Sequence, residues 1–461
     1  MKQLFRPKGL IAVALTLVIL LSAAVGGFFL HNAGTTHAAA PQIKSHLITV
    51  HPQYTKTSTN PNNKVLFQCQ DNAAPVRCYG PSQIRNAYDI SRVINGGIRG
   101  QGTTIVIIDA FRSPTIRQDL HIFDKTFGLP DPTLNIIAPD GLSPFNPADP
   151  NQVGWSGEIT LDVEWAHAIA PAATIDLVLA RDNQDVNLLS VTKYAVDNNL
   201  GDVLSQSFGE AEACMDPGLL SLEHTTYQEA AKKGITVFAS SGDQGAAQLT
   251  CDGTTYTLSA STPASDPLVV AVGGTYLNAD AHTGKYIGES AWNDSFGATG
   301  GGFSTIYSRP GYQSCCVKSS LGRGVPDVAY NADVNGGVLT YWGEAPTGAG
   351  FYIFGGTSAG SPQWAAMLAL VDSAFGRQGD IHSILYNGFA KTAYSLFFHD
   401  VTVGNNTFTG AGSNGVTVTI PGYNTRVGWD AVDGLGSFDL GNTIFGPASV
   451  KAAAPHLWKH S

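Results

Sequence analysis

The chain has 461 residues, 43% of them apolar, and a formal net charge of −10. That is enough apolar material for a sizeable core in one large domain or two ordinary ones. Charged residues make up only 13%, well below the roughly 25% typical of soluble proteins. No lysine- or arginine-rich run occurs, so nothing points to nucleic acid, and few ionisable groups are present for acid to disturb.

Lys2, Arg6 and Lys8 precede an apolar run over residues 9–30, and Ala38-Ala39-Ala40 follow it. The pattern predicts a secretory signal over residues 1–40, cleaved after small residues. The run is also close to the ~20 residues that span a bilayer, so an uncleaved anchor is the alternative. Both readings export the bulk of the chain, which is expected to be secreted. Six cysteines in an exported chain predict disulfides. Cys69 and Cys78 close a short loop, Cys214 and Cys251 could pair, and a bond between adjacent Cys315 and Cys316 would be strained. No CxxC occurs, which argues against a zinc site.

Residues 41–69 are polar and rich in Thr, Asn and Pro, and read as a linker or mobile arm. From Tyr79 the pattern changes: GPSQIRNAYDISRVI has helical spacing. Residues 103–109 form an apolar β-branched run ending in Asp109, a buried parallel strand. A Pro- and Asp-rich loop from Leu129 to Pro150 follows, then a helix from Gly157 stopped at Pro171. Strands are expected at 173–180, 202–208 and 235–240, with helices at 185–199 and 221–233. This alternation predicts an α/β fold with a mainly parallel central sheet flanked by helices. Chemistry in such sheets collects beyond the carboxyl ends of the strands. The second half is richer in glycine. Residues 291–311 read as a glycine-lined surface loop, helices are expected at 360–375 and 381–390, and residues 447–461 as a disordered tail. One catalytic domain covers residues 70–446.

Gly355 to Pro362 (GGTSAGSP) places Ser358 between glycines and a helix N-terminus. The positive end of a helix favours a serine becoming a nucleophile, although the segment alone fits a capped turn equally well. Glu158 and Asp162 are four apart on the expected helix and share a face. Their apolar neighbours bury that face, where two acids repel unless used, so they read as a proton relay for the serine. Asp243 closes the strand in a glycine turn and, kept neutral, could donate to an oxyanion. Asp109 ends a strand and could join them, and His167 lies off their face as a packing histidine.

Three motifs carry a resemblance over residues 79–446: Glu158-x-x-x-Asp162, Ser240-Ser241-Gly242-Asp243 and Gly356-Thr357-Ser358-Ala359-Gly360-Ser361-Pro362. In that order they resemble the sedolisin family, the serine-carboxyl peptidases. The resemblance implies a subtilisin-like fold and an acid-acting endopeptidase working through an acyl-enzyme. Ser358 would be nucleophile, Glu158 general base, Asp162 its supporting acid and Asp243 the oxyanion donor. A carboxylate base with an intrinsic pKa near ~4, and a donor that must be protonated, both imply work in acid. The family also implies one structural calcium ion. Asp400 and Asp430 would give carboxylates, and Val401, Arg426 and Gly428 carbonyls, a hard-oxygen set. Residues 404–422 between these segments are expected to form an extra hairpin. The expected partners are protein or peptide substrates, with the chain a monomer. The family carries a long N-terminal propeptide, for which residues 41–78 are too few. A non-catalytic surface-binding protein on the same fold is the alternative function.

Overall fold

The computed structural model describes residues 44–59 and 66–446. The leader or anchor over 1–40 and the tail over 447–461 lie outside the described residues. Among the described residues, no helix is long and apolar enough to cross a membrane.

In chain order the elements that matter are β1 (Tyr54–Lys56), β2 (Thr104–Ala110), β3 (Leu134–Ile137), α1 (Pro150–Ile169) and β4 (Thr174–Ala180). Next come α2 (Asp185–Asp197), β5 (Val203–Gln206), α3 (Pro217–Lys232), β6 (Thr236–Ser240), β7 (Val269–Ala279) and β8 (Tyr286–Ala291). They are followed by β9 (Val328–Asn331), β10 (Gly337–Trp342), β11 (Gly350–Phe354) and α4 (Gly360–Phe375). Eight strands form the central sheet, in the order β8-β7-β6-β5-β2-β4-β3, with β9 also on β7. All pairings are parallel except that of β7 with β8. Helices cross between the parallel strands, as the connection of parallel neighbours requires.

Two helices run through the core. Asp149 caps α1 by accepting the Asn151 N–H at 3.0 Å, and Pro150 occupies a first-turn position where no N–H is needed. From Trp155 to Ile169 every α1 residue is buried, so polar residues on it face protein. Helix α4 is buried from Gly360 to Asp372 and packs against α1, with Trp364 stacked 6.3 Å from Phe238 of β6. Such all-round burial belongs to a helix inside a large domain.

The segment read as a mobile arm is tied down where it is described. β1 pairs antiparallel with β11, extending a second, four-stranded sheet of β1, β11, β10 and Cys78–Tyr79. Backbone pairing and the burial of Ile48, Val50 and Phe67 hold it, although its composition is polar. The bonds Cys69–Cys78 and Cys214–Cys251 are present, and Cys315 is joined to Cys316 as well. Residues 404–422 contain the expected hairpin, Phe408–Ala411 against Thr417–Ile420. The helix expected at 381–390 is a π-helix over Ile384–Ala390. β10 and β11 went unread, because short strands in a glycine-rich stretch carry little periodicity.

Candidate active site

The predicted residues converge from four elements. Glu158 and Asp162 lie one turn apart on buried α1, at 1% and 0% exposure. Asp109 ends β2, Asp243 follows β6, and Ser358 sits in a short 3-10 turn (Thr357–Ala359) ahead of α4. Glu158, Asp243 and Ser358 line one cleft of about 70 Å³, together with Ser207, Gly242 and Thr357.

Glycine makes the approach of the two loops possible. Gly356 has φ +91°, and a Cβ there would stand 2.8 Å from Asp243 Oδ2. A side chain at that position would be strained and would strike the carboxyl. Thr357 fixes the other carboxyl oxygen: Asp243 Oδ1 accepts its N–H and its hydroxyl, each at 2.8 Å. Oδ2 is thereby left facing the cleft. The segment read as a surface loop is buried where it backs this turn. Gly300 donates to the Gly242 carbonyl at 2.7 Å, and a Cβ on Gly300 would fall 2.1 Å from the Ser241 carbonyl oxygen. Its glycines serve close backbone approach.

Ser207, just past β5, links the two helices. Its hydroxyl lies 2.9 Å from Asp162 Oδ1 and 3.3 Å from the Ser358 carbonyl oxygen, and its own carbonyl is 3.4 Å from Ser358 Oγ. Sequence reasoning missed Ser207, Thr357 and Gly300. A lone serine past a strand end has no spacing that marks it. His167 is fully buried with its Nε2 3.2 Å from Asp124 Oδ1. It packs on the far side of α1, away from the cleft-lining residues.

Four carboxyls crowd this region with no basic residue among the causes that move them. Burial pushes Glu158 well above the usual range, and the Asp162 charge adds to this. A hydrogen bond from Ser358 lowers it in part, and the Asp243 charge raises it again. Burial and then the Asp109 charge push Asp162 up against the Ser207 hydrogen bond. Asp109 is raised by burial and by Glu158. Burial raises Asp243 as well, opposed by its two Thr357 bonds. Groups so arranged share protons, and the cluster titrates as a whole. Asp109, left open by the sequence, is electrostatically part of it. A carboxyl–carboxylate array next to a serine can take a proton from the hydroxyl and hold a neutral acid in place as a donor.

The two candidate calcium-binding segments also meet. Gly428 N–H contacts Asp400 Oδ1 and Oδ2 at 3.1 and 3.2 Å, and Arg426 N–H donates to Asp430 Oδ2 at 2.8 Å. Val401 is buried beside Asp400. Asp433 next to them is buried with neither carboxyl oxygen hydrogen-bonded, and burial, then Asp430 and Glu289, push it well up. A carboxyl so short of donors and positive charge, beside Asp430, fits a hard cation.

The subtilase family profile matches residues 155–384. Kumamolisin from Bacillus sp. (strain MN-32) is 32% identical over 387 residues, covering 80% of this chain and 64% of that protein. Tripeptidyl-peptidase 1 of Dictyostelium discoideum is 28% identical over 403 residues, covering 81% of this chain and 60% of that one. The chain therefore spans less than two thirds of the length of these curated relatives. Among solved structures, Pseudomonas sedolisin, a serine-carboxyl proteinase complexed with two molecules of pseudo-iodotyrostatin, matches with a TM-score of 0.66 and 30% identity. That match covers 81% of this chain and 100% of the sedolisin chain. With a fold shared over the whole of that chain, and relatives at this identity, the protein belongs to the sedolisin family and has its subtilisin-like fold.

Proposed function

We propose that the protein is an acid-acting serine-carboxyl endopeptidase. The observation that carries this reading is the convergence of Ser358, Glu158 and Asp243 on one cleft, with Asp162 behind Glu158. Ser358 Oγ attacks the scissile carbonyl carbon while its proton passes to Glu158. The carbonyl oxygen becomes an oxyanion and accepts a hydrogen bond from protonated Asp243 Oδ2. Collapse expels the amine, which takes the proton from Glu158, and leaves an ester on Ser358. Water then repeats the sequence and frees the acid. Asp162, held by Ser207, keeps a proton-bearing partner against Glu158. Glu158 must be ionised and Asp243 neutral at once. Burial keeps the proton on Asp243 but opposes the ionisation of Glu158, so the Ser358 hydrogen bond that lowers Glu158 favours the working state.

The test is cleavage of an unfolded protein across acid pH. Ser358→Ala and Glu158→Ala are each expected to lose at least about 10⁴-fold in kcat. Activity retained in either would overturn the mechanism. A non-catalytic binding protein would instead show full folding with no turnover. Release of tripeptides from a free N-terminus is the second reading, favoured by the name of the Dictyostelium relative. Against it, the carboxylates lining the cleft, Glu158 and Asp243, are taken up by the chemistry and leave a substrate ammonium no dedicated partner there. A peptide with a blocked N-terminus separates the two, since only an endopeptidase cuts it.

Calcium belongs to the same proposal. Asp400 and Asp430 would hold it through carboxylates, and Val401, Arg426 and Gly428 through carbonyls. Bound, it would cross-link the two segments and neutralise Asp433's surroundings. A metal bound only by the native state stabilises by mass action, about 2.7 kcal/mol at a hundredfold excess over Kd. Chelation should lower the melting temperature, and an unchanged value counts against the site. Export completes the reading, supported by the N-terminal leader pattern and by disulfides of the kind that persist in oxidising compartments.

A further inference from the structure

Away from the catalytic cluster, His46, Asp185 and Glu210 each turn one potential ligand atom toward a single spot, all within 4.8 Å of one another. They come from three separate places: the N-terminal arm, the first residue of α2, and the short strand after β5. Asp185 is 1% exposed. Its Oδ1 is occupied by the Val186 N–H at 2.6 Å and by the Ser45 hydroxyl. Its Oδ2 is buried with no hydrogen-bond partner, and so are Glu210 Oε1 and His46 Nδ1. Each of the three residues carries a buried polar atom with no hydrogen-bond partner, and together they offer ligand atoms within 4.8 Å of one another, the arrangement a common partner would complete. His46 Nδ1 approaches Glu210 Oε2 at 3.5 Å without forming a hydrogen bond.

The backbone holds the trio in place. Asp185 N–H donates to the His46 carbonyl at 2.9 Å and Ile48 N–H to the Asn183 carbonyl at 2.8 Å, while Asn183 Nδ2 returns a bond to the Ile48 carbonyl at 2.7 Å. Three residues further on, Thr49 to His51 form one wall of the cleft that contains Ser358.

We propose that His46, Asp185 and Glu210 form a divalent-cation site of the zinc class, which staples the N-terminal arm to the domain beside the catalytic cleft. One imidazole nitrogen and two carboxylates leave a fourth position for water, a set suited to a borderline cation. Calcium prefers six to eight oxygens and fits it poorly. The ligands are far apart in sequence, so no short metal motif could announce them.

The test uses the full chain, stripped of metal and then held in excess calcium to occupy oxygen-rich sites. Titration with zinc alone, followed calorimetrically, is expected to show one site. His46→Ala and Asp185→Asn should each weaken it by at least about tenfold, the loss seen even for outer partners of metal ligands. Cobalt should give the intense visible bands of a four-coordinate site in the wild type and lose them in His46→Ala. Hydrogen exchange at the Ile48 and Asp185 amides should slow on adding zinc in the wild type and stay unchanged in His46→Ala. Equal zinc binding by wild type and His46→Ala would overturn the site, leaving a histidine–carboxylate ion pair. Binding without slowed exchange would overturn the staple. Should Asp185→Asn fail to fold, His46→Ala on the arm still decides the question.

Discussion

Two of the buried charge clusters among the described residues are built on opposite rules. Around Arg323, 0% exposed, all three side-chain nitrogens are hydrogen-bonded. Its Nη2 reaches Asp327 Oδ2 at 2.6 Å and the Val269 carbonyl at 2.8 Å, its Nη1 the Gly324 carbonyl at 2.6 Å, and its Nε the Asp266 carbonyl at 3.1 Å. Asp327 also accepts from Ala271 N–H and from Tyr386, and His382 lies 3.3 Å from it and 2.6 Å from Asp380. Burial opposes the Asp327 charge, yet Arg323 and His382 hold its carboxyl far below the usual range. Around Ser358 the carboxyls have no cation, and several of their oxygens have no partner at all. A satisfied cluster fixes structure, whereas an unsatisfied one keeps protons mobile at the expense of stability. On the proposed function, the difference separates an anchor from a reaction centre.

Substitution should therefore act oppositely in the two places. The largest expected effect is in the reaction centre: Glu158→Gln should abolish peptide cleavage, a loss of at least about 10⁴-fold, or about 5.5 kcal/mol of transition-state stabilisation. Its folding stability should stay level or rise, because a neutral amide removes a like-charge neighbour from Asp162. Denaturant titration beside the activity assay checks both halves. A strongly destabilised Glu158→Gln would mean that the carboxyl is structural. In the anchor, Arg323→Met should cost about 3–5 kcal/mol of stability by leaving Asp327 buried and short of a partner. Residual folded enzyme should keep its kcat per folded molecule. A specific loss of turnover there would erase the contrast.

How far this was legible in the sequence follows the same division. Glu158, Asp162, Asp243 and Ser358 were readable because helix spacing, a strand end and a glycine turn each constrain where a side chain can go. Their helices and the parallel strands around them were readable from apolar runs. Arg323 was not, because apart from Asp327 its partners are carbonyls at Asp266, Val269 and Gly324 that no side-chain pattern encodes. Ser207 and Thr357 were missed for a related reason, since hydroxyls occur everywhere and only the fold brings these two to the carboxyls. The arm looked mobile because its composition is polar, yet backbone pairing of Tyr54–Lys56 with β11 depends little on composition. The long strand β7 contains Gly273 and Gly274, which break its β pattern. A Cβ at Gly273 would meet Pro326 Cγ at 2.7 Å and one at Gly274 would meet Ala332 Cβ at 2.6 Å, so packing demands them.

The smallest effect per group, summed over many, is the response of stability to pH. Burial raises Asp119 to about 6, Asp333 to about 7, and Asp372 and Glu223 each to about 8. Glu158, Asp162 and Asp109 move the same way. Unfolded, all of these titrate near ~4, so between about pH 4 and 8 the folded chain binds more protons than the unfolded one. Stability is then complete below about pH 4 and falls as pH rises through the folded values. At His382 burial is outweighed by Asp380 and Asp327, which raise it to about 9. It adds to the same trend, because its stabilisation is lost above about pH 7. The opposing groups act elsewhere. Asp252 and Asp280 are lowered to about 2 by hydrogen bonds, from Thr250 and Thr254 in one case and from Thr283 and Asn72 in the other. Asp252 is exposed and Asp280 half-buried, and both matter only below about pH 4. Asp327 yields its proton gap only in stronger acid still. A tenfold change in a group's proton affinity on folding is worth about 1.4 kcal/mol. A net loss of several kcal/mol between about pH 4 and pH 8 should therefore lower the melting temperature by roughly 10 °C. Calorimetry at the two pH values measures it directly. Glu158→Gln should flatten the slope by removing one contributor, whereas Arg323→Met should lower the whole curve. A melting temperature that rises toward neutrality would show that the reaction-centre carboxyls are partnered after all, and the two clusters would no longer be opposites.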